Sequence, residues 1–104
     1  MRNYTRQHRR FSFVPVVFSR GHKRHGLGQA LELSLSGMAV FTPAEFDFGQ
    51  AVEVRFPLPQ SAKTLRLSAV ARNKTRQRWG FEFSSLKPVQ VSALQAACRV
   101  LGMK

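Results

Sequence analysis

The feature that most constrains this chain is alternation at a period of two. From Ala30 to Phe83, apolar side chains recur at every second position in brief runs, each closed by Gly, Pro or a charged turn. That period sends successive side chains to opposite faces of an extended strand. Leu31, Leu33 and Leu35 alternate with Glu32, Ser34 and Ser36, so the leucines are expected on one face and the polar groups on the other. Gly37 breaks the run and Met38–Phe41 resumes it. Val52, Val54, Phe56 and Leu58 surround Glu53 and Arg55. Leu65, Leu67, Ala69 and Ala71 alternate with Arg66, Ser68 and Arg72. Trp79, Phe81 and Phe83 alternate with Gly80 and Glu82.

Residues 11–18, FSFVPVVF, carry apolar groups on both faces and read as a further strand, with Pro15 at an edge or bulge. Residues 19–28 and 43–50 read as loops and 73–78 as a basic turn. The period changes after Pro88, which suits a first helical position. Val91, Leu94, Cys98 and Leu101 then share one helical stripe, with Gly102 as the stop, so a helix is expected over about 88–101.

Six short, evenly spaced strands followed by one helix give a mainly β fold. The expectation is a six-stranded antiparallel β-barrel with a C-terminal α-helix covering an end or face. A length of 104 residues fits one domain. Residues 1–10 lack an apolar pattern and read as a flexible, Arg-rich arm, with the barrel domain over 11–104.

The charge narrows the function. Seventeen Lys and Arg face five acids, for a net charge of +12. Residues 1–25 hold seven basic residues and no acid, and 61–79 hold six and no acid, so a fold that joins them makes one surface that attracts phosphates. The single cysteine, Cys98, leaves no intramolecular disulfide and no cysteine-based zinc cluster, and it lies on the helix's apolar stripe as a small hydrophobe. One free thiol and no stretch long enough to span a bilayer make a cytoplasmic protein the expectation. His22 and His25 sit among Arg20, Lys23 and Arg24, a positive setting that opposes a metal cation, so no metal is expected. No catalytic triad or carboxylate pair emerges, so the chain is not expected to be an enzyme.

Two segments carry ligand chemistry. Arg6 and Arg10 frame Arg6-Gln7-His8-Arg9-Arg10, and the flat guanidinium stacks on bases and donates paired hydrogen bonds to phosphate. Glu32-Leu33-Ser34-Leu35-Ser36-Gly37 lines Glu32 and Ser34 along one face, where a carboxylate accepts from guanine N–H groups and a hydroxyl donates and accepts. Each alone is also what a solvated basic tail or the outer face of an amphipathic strand looks like.

Together, and in this order, they resemble the signature of the PilZ domain family, an Arg-x-x-x-Arg arm followed by Asp/Asn-x-Ser-x-x-Gly, with Glu32 standing where the family has Asp or Asn. RQHRRFSFVPV resembles the family's arm and first strand, and LELSLSGMAV its second and third. GQAVEVRFPLP, LRLSAVAR and WGFEFSSL resemble the later strands. The resemblance implies a PilZ-like split barrel and binding of the bacterial messenger cyclic di-GMP, a ligand rather than a cofactor. It assigns ligand contacts to Arg6, Arg9, Arg10, Glu32 and Ser34, with Gly37 keeping the turn clear. Trp79, beside the basic turn, is expected either to stack on a guanine or to pack in the core. It also implies a receptor that changes conformation and regulates a downstream protein, as a monomer or a ligand-dependent dimer. The alternatives are a PilZ module that binds only protein, in motility or pilus assembly, and a basic nucleic-acid-binding barrel; nucleic acid is not the expected partner.

Overall fold

The computed structural model describes residues 14–58 and 61–101. Six strands, β1 (Pro15–Arg20), β2 (Lys23–Leu33), β3 (Gly37–Phe41), β4 (Ala51–Pro57), β5 (Thr64–Thr75) and β6 (Arg78–Phe83), precede one helix, α1 (Pro88–Leu101). The strands close into an antiparallel barrel in the order β1-β2-β3-β6-β5-β4. Closure removes free sheet edges, which suits a small β domain.

Inward residues fill the barrel. Val16 and Phe18 from β1, Val54 and Phe56 from β4, Leu67, Ala69 and Ala71 from β5, and Trp79 and Phe81 from β6 are all buried. The segment joining β3 to β4 drops Phe46 into this core. Its ring meets Phe18 at 5.0 Å and Trp79 and Phe81 at 5.2 Å, all edge-on, the geometry aromatic quadrupoles favour. α1 covers the barrel end where β2 finishes. Leu94, Ala97 and Cys98 are buried, the Cys98 thiol lies 3.7 Å from the Leu33 carbonyl, and Gln90 Nε2 donates to the Arg66 carbonyl at 2.8 Å. The helix begins at Pro88, where a missing N–H is no loss, and Lys87 N donates to Gln90 Oε1 at 2.7 Å.

Three expectations need correction. Residues 19–28 are not a loop: β1 runs to Arg20, Gly21 and His22 make a tight turn, and β2 starts at Lys23. The apolar signal is missing there because the inward positions are glycines. Gly26 faces Phe18 and Gly28 faces Val16 across the ladder. A Cβ at Gly28 would meet Val40 Cγ1 at 2.5 Å, and one at Gly26 would meet Ala44 Cβ at 2.6 Å, so neighbours fill the space a side chain would take. Likewise β5 continues to Thr75, leaving only Arg76 and Gln77 in the turn, with Arg76 at a φ of 58°.

The third concerns the leucine face of β2. Leu33 is buried, but Leu31 is 38% and Leu35 44% exposed. The register shifts between Ala30 and Glu32, so Leu31 is the extra residue of a β-bulge and the alternation breaks there. Leu35 lies in the tight turn that follows.

Candidate functional site

The bulge leaves Glu32 on the outer wall of the barrel. In the ladders Glu32 pairs with Ala39, Ala39 with Gly80, and Gly80 with Asn73. Glu32 and Asn73 therefore stand at the two ends of a row about 14 Å long, three strand spacings of about 4.8 Å. Its middle residues, Ala39 and Gly80, carry almost no side chain. A Cβ at Gly80 would meet Asn73 Oδ1 at 2.5 Å, so the Asn73 carboxamide lies over the glycine. The result is a shallow polar trough on the outer wall, low at its centre, where Ala39 is buried and the Asn73 carboxamide covers Gly80.

Charged groups rim it. Arg78 Nη2 lies 3.0 Å from Glu32 Oε2, reaching past the small Ala39, and Arg72 Nε donates to Glu82 Oε1 at 2.7 Å. The Arg78 and Glu32 side chains are 45% and 71% exposed, so this pair is solvent-screened and open to exchange.

Ser34 and Gly37 sit at the turn that ends β2. Ser34 N donates to the Gly37 carbonyl at 2.9 Å, closing a tight connection through Leu35 and Ser36. Ser34 Oγ accepts from Ser36 N and from Gly37 N, each at 3.3 Å, and lies 3.1 Å from Ser36 Oγ. The hydroxyl is thus the pin of the turn. Gly37 has a tighter constraint than a clear turn: a Cβ there would collide with the Phe81 carbonyl oxygen on β6. Glycine lets β3 and β6 close.

Trp79 is placed in the core. Its residue is 1% exposed, with Phe46 at 5.2 Å, Phe48 at 5.5 Å and Phe81 at 6.4 Å around the indole and Lys74 Nζ 5.5 Å from the ring centroid. Of the two roles expected for it, core packing is the one this geometry takes; the ring offers no face to a ligand on the outer wall. Alternation with Phe81 and Phe83 carried that signal in the sequence.

Arg6, Arg9 and Arg10 lie outside the described residues. The chain's point of departure is nevertheless fixed: the Val14 carbonyl accepts a hydrogen bond from Ala30 N at 2.9 Å, two residues from Glu32 along β2. The sequence offers Arg72, Arg76 and Arg78 either as phosphate contacts or as solvated turn charges; what it does not mark is that strand pairing brings Arg78 to Glu32 and sets Asn73, Gly80 and Ala39 in one row with it. Among the described residues no group of three His, Cys, Asp or Glu could hold a metal, and no helix is long and apolar enough to cross a membrane.

Comparison with known proteins bears on this arrangement. A family model described as the PilZ domain matches residues 4–99. Two solved structures share the fold. The PilZ domain of CeSA from a cellulose-synthesizing bacterium superposes with a TM-score of 0.65 at 24% identity, over 86% of this chain and 90% of that one. The PilZ domain of YcgR from Escherichia coli, solved with c-di-GMP, gives a TM-score of 0.70 at 17% identity, over 86% and 81%. A search of curated proteins found no match.

Proposed function

The chain belongs to the PilZ domain family, whose members are nucleotide-binding receptor or adaptor domains rather than enzymes, and on that premise we propose that it is a cyclic di-GMP receptor whose ligand lies in the outer-wall trough under the N-terminal arm. The observation that carries this reading is the Val14–Ala30 hydrogen bond, which starts the arm beside Glu32 instead of across the barrel.

In this reading Glu32 accepts hydrogen bonds from the N1 and N2 donors of a guanine, and the flat base lies along the small Ala39–Gly80 row once the Asn73 carboxamide swings aside. Ser34 and Gly37 act mainly by holding the turn and the strand spacing that position Glu32. Arg6 and Arg10, helped by Arg9, grip phosphates and stack on guanine, where a planar fork outperforms an ammonium. Arg78 holds Glu32 in the free protein, so the ligand must displace or share that contact. Clasping of the ligand by the arm then supplies the change in shape that a downstream protein senses.

Isothermal titration calorimetry tests this. Cyclic di-GMP is expected to bind saturably and GMP not to reproduce it. Arg6→Ala and Arg10→Ala are each expected to weaken binding by at least about tenfold, one lost charge-assisted contact. A flat titration of the folded, ligand-free protein would sink the receptor reading and leave a PilZ module that binds only protein.

A further inference from the structure

The tip of the β1–β2 hairpin is the other place where this chain concentrates chemistry. It lies at the far end of β2 from Glu32, with Lys23 about 30 Å along the strand from Glu32 at 3.3 Å per residue. Arg20, Gly21, Lys23, Arg24, His25 and Ala51 line an open cleft of about 520 Å³ there.

Three observations set this cluster apart from an ordinary solvated turn. First, Arg20 and Lys23 stand directly opposite each other in the ladder. Like charges so placed oppose strand pairing by roughly 0.2–1 kcal/mol. Second, these cations lack acids. Among the described residues, Arg55, Arg72, Lys74 and Arg78 each have a carboxylate within 4 Å; several other cations have none, but Arg20, Lys23 and Arg24 are three such cations gathered on one cleft. On the bordering segments, Glu53 lies 3.8 Å from Arg55 and Glu45 lies 2.9 Å from Lys74. Third, the cleft is held in shape. Gly21 takes a φ of 61° in the tight turn, and the register shifts at Phe18/Ser19, the kind of bulge that re-aims side chains. His25 Nε2 donates to the Glu45 carbonyl at 2.6 Å while its ring rests 4.8 Å from that of Phe46.

From these we infer that the β1–β2 hairpin carries a second anion site, separate from the outer-wall trough, that takes a phosphate group. A phosphate relieves the Arg20–Lys23 repulsion and accepts from two guanidinium groups and an ammonium at once, the geometry of charge-assisted recognition. The phosphate can belong to a soluble anion or to a lipid headgroup, and the inference does not depend on the cyclic di-GMP reading.

The test uses the full chain with inorganic pyrophosphate as the probe, followed by amide chemical shifts. Saturable shifts are expected, confined to residues 19–25 and 51. The variant R20Q/K23Q/R24Q is expected to lose the affinity by at least about tenfold. K63Q/R66Q/K87Q, which removes the same charge from elsewhere on the surface, is expected to keep it. The unchanged amide dispersion of the hairpin variant shows that it folds. Cosedimentation with phosphatidylglycerol vesicles in phosphatidylcholine separates the two sources. Hairpin-dependent vesicle binding assigns a lipid headgroup; vesicle binding that is equal in both variants, with hairpin-dependent pyrophosphate binding, assigns a soluble anion. Shifts that spread over every basic surface without saturating, or equal loss of pyrophosphate binding in the two variants, would overturn the site and leave only bulk positive charge.

Discussion

At the scale of single residues, the motif that reads as ligand chemistry splits into two jobs. Glu32 is exposed and, among the described residues, paired with Arg78, whereas the Phe81 carbonyl occupies the space a side chain at Gly37 would need. Substituting them should therefore give opposite signatures. Glu32→Gln should weaken cyclic di-GMP binding severalfold while stability changes by less than about 1 kcal/mol, the worth of an exposed ion pair; calorimetry and thermal unfolding measure the two. Gly37→Ala should instead lower stability by about 1–3 kcal/mol or more, the cost of forced overpacking, and a variant that melts like the parent would contradict the close approach. Cys98 offers a third test. Burial pushes its thiol pKa up, so the neutral form is favoured in the folded protein. That contribution to stability is complete below the unfolded thiol's pKa and is lost as pH rises from there through the higher pKa of the folded state. Alkylation by iodoacetamide near neutral pH should be slow in the native protein and rapid in urea.

At the scale of elements, what the sequence made legible depended on whether side chains reported the pattern. β4, β6 and α1 were readable because large apolar residues mark their inward faces. Half of β2 was hidden because its inward positions are Gly26 and Gly28, and the Leu31 bulge was hidden because an extra residue leaves no local mark. The Glu-x-Ser-x-x-Gly spacing marked the end of β2 and the turn into β3. The row Glu32–Ala39–Gly80–Asn73, and the reach of Arg78 to Glu32, could not be found the same way, since only the β2-β3-β6-β5 pairing brings them together. The helix makes its own prediction. Leu94 is fully buried under the barrel end, so Leu94→Ala should cost about 2–5 kcal/mol, read as a lower denaturation midpoint.

At the scale of the molecule, a closed barrel supplies a continuous outer wall. The two ends of β2 carry different equipment: Glu32 and its arginine at one end and, at the other, cations that pair with no acid among the described residues. Mapping amide shifts over the whole chain during a cyclic di-GMP titration tests this division most directly. The expected result is perturbation at Glu32, Gly37, Ala39, Gly80 and the arm arginines, with the Gly21 turn unchanged. Perturbation centred on the Gly21 turn, with Ala39 and Gly80 silent, would contradict it.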